Sequence, residues 1–538
     1  MMKKYLSLIF FLFLFFQSSA QTTWEISANP VYDYLNRMAS KGLVELDDVV
    51  LPISKQTILI KLKELKNKEL TKIESTELNF YLQEYATIDT SKQEIINFFN
   101  NDSFNRFRVL AYKSKDFHLY LDPIVGAQTN NGNLHNYTTL SKGMNLWGFS
   151  GKWGYQVYFR DNGLNGKGLD SINFESPNTA NINLFRPNAN NTSITETRAH
   201  LTYSWKNGNV SFGKDFLTWG YGQSGKIILS ERSPSFPYIR LDYTPIKGVH
   251  FNYFNAWLNS NIVDSSQSYG TGTNNVLGDI RIQYIPKFLV SHAIHLSFIK
   301  GFTLSLGESI VYSDKLDPGF LIPFLLYKPY DNNRSNYNIN AGSNGQIFMQ
   351  VSSRNIIPKT HFYFTTFIDE VRISKFLNRN YSRNQLGYQT AVTINDLILE
   401  YFGLSIEYTK VRPFVYYNLM PAQNYSNYNF PLGDWMGNNF DRITLISKYT
   451  PAPRVKLDLR YNYIRKGEAG SLWQQYLQEP QPPFLFGSVR KRTDFIFSMQ
   501  YEWKNNFHLL LKYQQTNQLI DGRITTLNFT NIGFSYGL

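Results

Sequence analysis

Apolar and polar side chains alternate with a period of two over most of the chain from Phe104 onward. The odd-numbered residues of 107–111 and 117–121 are apolar and alternate with a mixed or polar set. The same alternation recurs in separate segments as far as Tyr536. A period of two places successive side chains on opposite faces of an extended strand, so this part of the chain is predicted to be β-structure.

The connections between these strands are of two kinds. Tight turns such as Lys206–Asn209 and Lys504–Asn506 join some neighbours. The longer polar connections are Asn162–Ile194, Ser260–Asn275, Pro329–Gly345, Met420–Asn439 and Gly467–Arg490. Short turns on one side and long loops on the other are typical of an outer-membrane barrel. A strand of ~10 residues takes roughly 24 residues when its share of turn and loop is included. The roughly 430 residues from Phe104 onward therefore predict an all-β transmembrane barrel of about 18 antiparallel strands.

The first part of the chain has a helical period instead. Asn29 and Pro30 are typical of the start of a helix, and Gly42 ends it. Ser54 is typical of the residue that caps the start of a second helix. A third helix is predicted over Thr71–Tyr85 and a fourth over Gln93–Phe99. Such short helices need a further surface to complete their core. Residues 21–103 are therefore predicted to be a small helical bundle, either periplasmic or plugging the barrel of residues 104–538.

The N-terminus and the composition fit an exported protein. Lys3 and Lys4, the apolar run Tyr5–Phe16 and the small residues ending at Ala20 predict a signal peptide over residues 1–20. The chain has no Cys, aromatic residues make up 16% of it, and its mean hydropathy is −0.33. No later run is long and apolar enough for a membrane helix, so a helical membrane protein is excluded. The expected location is the outer membrane of a Gram-negative bacterium.

The last alternating segment should close the barrel. Leu527, Phe529 and Asn531 fall on one face, and Ile532, Phe534 and the residues alternating with them on the other. An open strand edge is not tolerated in lipid, so this strand must pair with an early one. The expected partner lies near Phe104–Tyr112, and the alternation at the C-terminus resembles the signal that barrel-assembly machinery reads.

The segment Gly213–Asp242 contains an apparent nucleotide motif. Gly220, Gly222 and Gly225 spell G-x-G-x-x-G, and with Lys226 they approach a phosphate loop. Ile227 takes the place of the required Ser or Thr, and the prolines that follow exclude the helix that both motifs need. A nucleotide site is therefore rejected. The segment is predicted to be a strand end and glycine turn at the barrel rim, with Trp219 and Tyr221 at the membrane interface.

Catalytic and metal-binding motifs do not emerge from the sequence. The eight histidines are scattered, and His292 and His295 should lie on opposite faces of a strand rather than at one metal. There is neither an H-E-x-x-H motif nor a nucleophile elbow. The protein is predicted to be non-catalytic and to use no cofactor or metal.

The charge and the aromatic content favour binding of an anionic polymer. The formal net charge is +13, or +11 once Lys3 and Lys4 are removed. Outside the cell this charge favours acidic polysaccharide or lipid head groups over nucleic acid. Aromatic rings, amides and cations are what an acidic saccharide requires. The candidate binding residues are Lys214, Trp219, Lys226, Arg232 and Arg240, with further candidates in Tyr425–Trp435 and Arg490–Arg492.

Three segments resemble one known family. They are Val31–Leu35 with the helix start at Leu51–Ser54, then Gly213–Pro237, and finally Phe430–Gly437. They are similar to the Wzi-type capsule assembly outer-membrane proteins, in the form common in Bacteroidetes. The resemblance implies an 18-stranded barrel plugged by helices and loops that acts as a surface lectin for capsular polysaccharide. No binding residue is carried over from it.

These observations predict a non-catalytic barrel that binds and organises capsular or extracellular polysaccharide. The expected partners are an acidic polysaccharide, outer-membrane lipids and, during biogenesis, the barrel-assembly machinery, and the expected state is a monomer. Two alternatives remain open. One is a channel or porin for small solutes or oligosaccharides, and the other is a subunit of an envelope secretion complex.

Overall fold

The computed structural model describes residues 22–85, 95–102, 106–169, 172, 179, 190–272, 279–337, 342–370 and 384–537. The predicted signal peptide, residues 1–20, lies outside the described residues. Across these ranges the main sheet contains twenty strands, of which eighteen form a closed antiparallel ring and two form a hairpin attached to it. The prediction of a barrel of about 18 strands is confirmed.

The eighteen strands of the ring follow one another in chain order, each hydrogen-bonded to the next. They are β1 (Phe117–Gly132), β2 (Asn136–Ser150), β3 (Trp153–Lys167), β4 (Asn191–Trp205), β5 (Gly208–Asp215), β6 (Phe236–Ile246), β7 (Val249–Val263), β8 (Tyr284–Leu296), β9 (Phe302–Ser313), β10 (Asn344–Arg354), β11 (Thr360–Glu370), β12 (Gln385–Asn395), β13 (Phe402–Val411), β14 (Phe440–Ala452), β15 (Val455–Lys466), β16 (Arg490–Lys504), β17 (Phe507–Ile520) and β18 (Arg523–Tyr536).

Strand β1 closes the ring and carries two partners end to end. Its upper part, Val125–Gly132, pairs with β18. Its lower part pairs with the second strand of the hairpin, which consists of Ile95–Asn101 and Phe107–Lys113. The prediction that the last strand pairs near Phe104–Tyr112 is therefore wrong, because the hairpin takes only the lower edge of β1. The helix predicted over Gln93–Phe99 is also wrong from Ile95 onward, while residues 93 and 94 lie outside the described part.

The two ends of the barrel differ as the sequence predicts. One end has tight turns, such as those at residues 151–152 and 505–506, and the other has the long connections 216–235, 314–343 and 412–439. Short turns mark the periplasmic end and long loops the extracellular end. The outward side chains include exposed apolar residues suited to lipid: Met144, Val157, Phe159, Leu201, Phe212, Ile294, Leu306, Ile347, Ile406, Leu445, Met499 and Ile532. Among the described residues, no helix has the length and apolar character needed to cross a membrane.

Three helices pack together at the periplasmic end: α1 (Val31–Ser40), α2 (Lys55–Leu65) and α3 (Lys72–Tyr85). The side chain of Asn29 accepts a hydrogen bond from the Val31 amide at 3.0 Å, and Ser54 caps α2 by accepting from the Thr57 amide at 3.0 Å. The buried core of the bundle contains Val31, Leu35, Met38, Ile58, Leu59, Leu62, Leu65, Leu78, Tyr81 and Tyr85, and the wall residues Tyr120, Trp147 and Phe149 belong to the same cluster. The barrel wall thus completes a core that the short helices cannot complete alone.

Ion pairs join these helices to the periplasmic ends of the strands. Arg37 of α1 and Lys41, the residue that follows this helix, both contact Asp396 in the turn between β12 and β13. Arg354 at the end of β10 donates to Asp48 at 2.8 Å. Further contacts join Asp33 to Lys448 and the Pro52 carbonyl to Arg240, so residues 22–85, here called the plug, are attached to several strands at the periplasmic end.

Part of one extracellular loop packs against the outside of the barrel. Residues 314–337, here called the strap, contain a 3₁₀ helix (Pro318–Leu321) and α4 (Tyr327–Tyr337). Phe320 is completely buried, with its ring 4.6 Å from that of Tyr312, which points outward from β9. Tyr253 of β7 donates its hydroxyl to the Phe320 carbonyl at 3.1 Å. The strap therefore covers wall residues that would otherwise face lipid.

The strap also seals a polar pair on the outer face. His292 of β8 and Glu308 of β9 lie 3.2 Å apart, and Glu308 accepts the Tyr327 amide at 2.7 Å. Ionisable groups that face hydrocarbon are costly in free energy unless they are paired and shielded from lipid. His292 and Glu308 pair with each other, and the strap covers them. His295 instead faces the lumen, where its ring lies 6.1 Å from that of Trp219. The two histidines thus occupy opposite faces, as the alternation predicts.

We expect Phe320→Ala to lower the free energy of unfolding by about 3 kcal/mol, because truncation leaves a cavity between the strap and the wall. Urea unfolding in detergent micelles, followed by tryptophan fluorescence, measures the loss. The matched control is Leu326→Ala in the same strap, where the side chain is 63% exposed and the expected change is under about 0.5 kcal/mol. Equal losses in the two variants would contradict this packing.

Candidate functional site

The connection between β5 and β6, residues 216–235, does not stay at the rim but descends into the lumen. Thr218 and Trp219 pair with Val50 and Leu51 of the plug in a two-stranded sheet. The Gly220 amide donates to the Val49 carbonyl at 2.9 Å. This segment, here called the inward loop, therefore contacts the plug directly.

The glycine turn of the inward loop surrounds a carboxylate of the barrel wall. The amides of Gln223 and Ser224 donate to the two oxygens of Glu407 at 2.8 and 3.1 Å. The hydroxyls of Ser224 and Tyr363 also donate to this carboxylate. Successive amides of a glycine turn suit an anion, as in a phosphate loop. Here the anion is a side chain of β13, which explains the motif without a nucleotide.

A second connection, residues 412–439, also folds into the lumen and meets the inward loop. Asp434 forms a two-pronged ion pair with Arg442 of β14, at 3.1 and 2.7 Å, and both side chains are fully buried. Arg442 also donates to the Ser224 hydroxyl at 3.0 Å, and the Trp435 indole donates to the Ser224 carbonyl at 2.9 Å. Both loops are thereby attached to one point of the wall.

Between the plug and these loops lies an apolar core inside the barrel. It contains Val49, Val50, Leu217, Trp219, Ile227, Ile228, Leu229, Phe254, Leu289, Val311, Phe348, Phe367, Val415, Leu432 and Met436. The prediction that Trp219 and Tyr221 lie at the membrane interface is wrong. Trp219 packs in this core, and Tyr221 lies beside it with its ring 5.8 Å from that of Tyr363. Their apolar rings fill the lumen because the loop turns inward.

The other predicted site residues are dispersed. Lys214 is on the outer face of β5, where it donates to the Ser235 hydroxyl at 2.6 Å. Arg240 faces the lumen deep in the barrel, where it donates to the Pro52 carbonyl of the plug at 3.1 Å and pairs with Asp242. Arg232 is buried, with its guanidinium 5.1 Å from the ring of Phe430, and burial lowers its pKa to about 10. These three do not converge on one site.

Lys226 does reach a cavity at the extracellular side of the lumen. This outer cavity has a volume of about 360 Å³ and is bounded by the inward loop on one side and by β15–β18 on the other. Its lining includes Tyr137, Lys226, Trp435, Arg460, Asn462, Arg492, Asp494, Lys512, Gln514, Gln518 and Phe529. Two short extracellular turns, at residues 133–135 and 521–522, flank the side of the cavity formed by β17 and β18. The connection between β15 and β16, residues 467–489, is long but contributes no residue to the lining of the cavity.

The wall of the outer cavity alternates cations with acids. Arg492 donates to Asp494 at 2.7 Å, and Asp494 also accepts from Asn462 and Thr516 at 3.2 and 2.7 Å. Arg460 donates to Asp458 at 2.7 Å and to the Gln223 carbonyl of the inward loop at 3.0 Å. Side-chain amides and the ring of Phe529 complete the lining. Such a surface offers donors and acceptors for hydroxyls together with positive charge for an acid.

A second cavity lies below the first. It has a volume of about 540 Å³ and is bounded by α1, including Asp33 and Arg37, and by the lower parts of β12–β17. Gln223, Arg460, Ile496 and Lys512 line both this inner cavity and the outer one. The two spaces therefore meet at one junction beside the glycine turn.

Sequence reasoning found Lys226, Trp435 and Arg492 but missed Arg460, Asn462, Asp494 and Lys512. The pattern that could have identified these residues is a polar stripe with a period of two. Residues 460 and 462 fall on one face of their strand, as do 492 and 494 on the next, and 512, 514, 516 and 518 on the one after. In a lipid-embedded barrel a polar face must be the lumen face. In the described ranges, no group of three or more His, Cys, Asp or Glu side chains is placed to hold a metal ion.

Residues 385–519 match the family model described as "Capsule assembly protein Wzi". No curated protein matches the chain. Wzi of Escherichia coli, described as an outer membrane protein involved in group 1 capsule assembly and a carbohydrate-binding β-barrel, is similar in structure with a TM-score of 0.62 at 12% identity. That match covers 96% of this chain and 99% of the other, and it shows a common fold.

Two other solved barrels are less similar. Pseudomonas aeruginosa OccD3 has a TM-score of 0.42 at 11% identity, with 77% of this chain and 90% of that chain covered. Acinetobacter baumannii OccAB2 has a TM-score of 0.44 at 11% identity, with 77% and 97% covered.

We expect Gly225→Ala to displace the inward loop. An added Cβ would lie 2.3 Å from an oxygen of Asp434 and 2.8 Å from a nitrogen of Arg442, both in the buried ion pair. Tryptic cleavage after Lys226, followed by mass spectrometry on the folded protein, should become about tenfold faster because the loop opens more often. Gly163→Ala is the control, since its added Cβ meets only one backbone oxygen, at 3.9 Å. Unchanged cleavage in Gly225→Ala would contradict the packing of the loop.

Proposed function

We propose that this protein is a non-catalytic outer-membrane barrel that binds an acidic surface polysaccharide in the outer cavity and acts in capsule assembly. The observation that carries the proposal is the convergence of Lys226, Arg492 and Lys512 with amides and aromatic rings in one cavity at the extracellular side. The family match over residues 385–519 includes the wall strands β15 and β16 and most of β17, where this cavity lies. The fold shared with E. coli Wzi, itself described as carbohydrate-binding, supports the same function.

The chemistry of the cavity suits a saccharide with acidic groups. The ring of Phe529 offers an apolar face on which a sugar ring can stack, and Tyr137 lies close by. Asn462, Gln514 and Gln518 can donate to and accept from hydroxyls. Lys226 has no hydrogen-bond or salt-bridge partner among the described side chains, so its charge is available for a carboxylate.

The filled lumen argues against the channel as the main function. The plug, the apolar core, the inward loop and residues 412–439 occupy much of the lumen, and the outer and inner cavities beside them share a junction that the bond from Arg460 to the Gln223 carbonyl narrows. We therefore expect little conductance in planar bilayers, whereas a channel or porin would conduct strongly. Stable co-purification with other envelope proteins would instead favour the secretion-complex alternative.

The form of the family, the oligomeric state and the membrane environment are part of the same proposal. The segments of the plug, of Gly213–Pro237 and of Phe430–Gly437 support membership in the Bacteroidetes form of the family. We further propose that the protein is a monomer in contact with outer-membrane lipids, and that the barrel-assembly machinery inserts it.

A strain that lacks the gene should lose cell-bound polysaccharide to the medium. Unchanged retention on the cell would contradict a role in capsule assembly.

We expect Lys226→Met to weaken binding of the strain's acidic polysaccharide by roughly threefold to tenfold at low salt, because one unpaired charge is removed from the cavity. Binding is measured by isothermal titration of the purified barrel. The matched control is Lys214→Met, because Lys214 lies on the outer face of β5. A loss of affinity in the control equal to that in Lys226→Met would place the binding surface elsewhere.

A further inference from the structure

The inner cavity carries an excess of positive charge. Among the described residues its lining includes the cations Arg37, Lys448, Lys456, Arg460 and Lys512 and the acids Asp33 and Asp458. The volume of about 540 Å³ falls within the range of roughly 300–1,000 Å³ that is usual for small-molecule sites. Charge and size together make this cavity a candidate site for a small anion.

Three of these cations are already neutralised by carboxylates. The pairs are Arg37 with Asp396, Lys448 with Asp33, and Arg460 with Asp458. Both acids of the lining are therefore used in pairs of their own. They do not neutralise the two remaining cations.

Lys456 and Lys512 have no carboxylate partner within the described part of the chain. The Lys456 ammonium donates to the Pro30 carbonyl at 3.0 Å and to the Tyr81 hydroxyl at 3.2 Å, which leaves one of its three N–H groups for a ligand. Lys512 makes no hydrogen bond or salt bridge in that part, and its ammonium lies 5.9 Å from the ring centre of Phe529. Two such charges in one cavity suit an anionic group of a ligand.

Strand register places the two lysines on either side of β16. Lys456 of β15 lies opposite Gln500, and Lys512 of β17 lies opposite Ser498, one row higher. Neighbouring strands are about 4.8 Å apart, so a solute that lies over β16 is within reach of both lysine side chains. Ser498 and Gln500 line the same cavity, and their side chains can form hydrogen bonds with hydroxyls of a ligand.

The inner cavity is open to water at the end formed by the plug. Asp33 and Lys448 line it there, and their side chains remain 57% and 38% exposed although they form an ion pair. Toward the outer cavity, the hydrogen bond from Arg460 to the Gln223 carbonyl narrows the junction. A small solute can therefore enter from the periplasmic side, whereas a polymer bound in the outer cavity meets the narrowed junction.

We propose that the inner cavity is a second ligand site, which binds a small sugar acid or sugar phosphate from the periplasm. The carboxylate or phosphate lies between Lys456 and Lys512, and the sugar hydroxyls bind Ser498 and Gln500. This site is separate from the polysaccharide site of the outer cavity, so the inference does not rest on the proposed function.

The probes for the test are glucuronate and glucose 6-phosphate, titrated at low salt into the purified full-length barrel and followed by calorimetry. At least one of them should bind at one site per barrel, about tenfold or more tightly than glucose, because glucose lacks the anionic group. The stronger of the two identifies the preferred anion. No binding of either probe, or binding no tighter than that of glucose, would overturn the inference.

The anion alone serves as a second comparison. Acetate or inorganic phosphate should bind about tenfold more weakly than the preferred probe, because neither can bind Ser498 and Gln500 through sugar hydroxyls. Equal affinity for the anion alone would overturn the assignment of a sugar to this site.

Lys456→Met should weaken binding of the preferred probe by about tenfold, because a charged contact is lost. Of the two cavities Lys456 lines only the inner one, so the affinity for the surface polysaccharide should stay unchanged. Lys226→Met should do the reverse, since Lys226 lines only the outer cavity. Loss of probe binding in Lys226→Met but not in Lys456→Met would overturn the inference and leave the proposed function in place.

Lys456 also holds the plug, so further variants separate its charge from its packing. Lys456→Arg keeps the charge and should retain probe binding within about threefold. Lys512→Met removes no hydrogen bond of the described residues and should also weaken probe binding by about tenfold. It serves if Lys456→Met does not fold, as judged by the gel mobility of the unheated barrel. Wild-type affinity for the probe in folded Lys512→Met would overturn the site.

The matched control is Lys247→Met. Lys247 is exposed in the short periplasmic turn between β6 and β7, away from the inner cavity. This variant should bind the probes as the unmodified protein does. A loss equal to that in Lys456→Met would mean that the probes respond to the net charge of the barrel, and it would overturn the assignment of the inner cavity.

Discussion

The lumen of an eighteen-stranded ring is too wide for the side chains of its own strands to fill, and much of the structure follows from this constraint. Rings of about eight strands are filled by their inward side chains, whereas rings of 16–18 strands leave an aqueous channel unless other parts of the chain enter. Here three parts enter: the plug from below, and the inward loop and residues 412–439 from above. They meet around Trp219, whose strand pairs with Val50 of the plug. The lumen therefore acquires an apolar core of the kind that normally lies between the layers of a soluble domain.

An apolar core inside the barrel imposes a second requirement, because the wall around it carries charges. Glu407 and Arg442 are both buried. Burying a charge without a partner costs several kcal/mol of free energy, because the charge loses its hydration. Asp434 neutralises Arg442, and the amides of the glycine turn solvate Glu407 in place of water. The loops are thus held by the same contacts that make these charges tolerable. This also accounts for the likeness of the turn to a phosphate loop, since both are arrangements of amides around an anion.

The sequence predicted the wall of this protein better than its interior. Alternation and connection length indicate the number of strands, their two faces and the end with long loops. His292 and His295 lie in the same strand at an even and an odd position, and this alone places them on opposite faces. Neither signal tells whether a long loop stays outside, enters the lumen or packs on the outer wall. Trp219 and Phe320 are aromatic residues near strand ends, and either would suit the membrane interface. Their burial depends on contacts with segments distant in sequence, which local pattern does not contain.

Similar limits apply to the closing strands and to the candidate site. The need to pair β18 was evident, but its partner depends on how far the hairpin extends along β1, which is a question of register between segments about 400 residues apart. For the site, the basic residues of the inward loop were easy to find because they stand out in one segment. Lys512 and Arg460 were harder, because each is a single charge in its own strand and becomes part of a site only when neighbouring strands are in register.

The filling of the lumen is uneven, and this unevenness separates a binding site from a simple plug. Core residues such as Leu289, Val311 and Phe367 come from the wall strands β8–β11, where the loops pack tightly. On the opposite side the strands β15–β18 present polar side chains, with short extracellular turns at residues 133–135 and 521–522 and a long connection, residues 467–489, that does not line the cavity. The outer cavity therefore remains in that sector and meets the inner cavity beside the plug. A barrel that only needed to be closed would not require charges along this wall, because apolar side chains would fill the space at lower cost. Retention of Arg492, Arg460 and Lys512 beside an accessible cavity therefore favours recognition of an anionic ligand over closure alone.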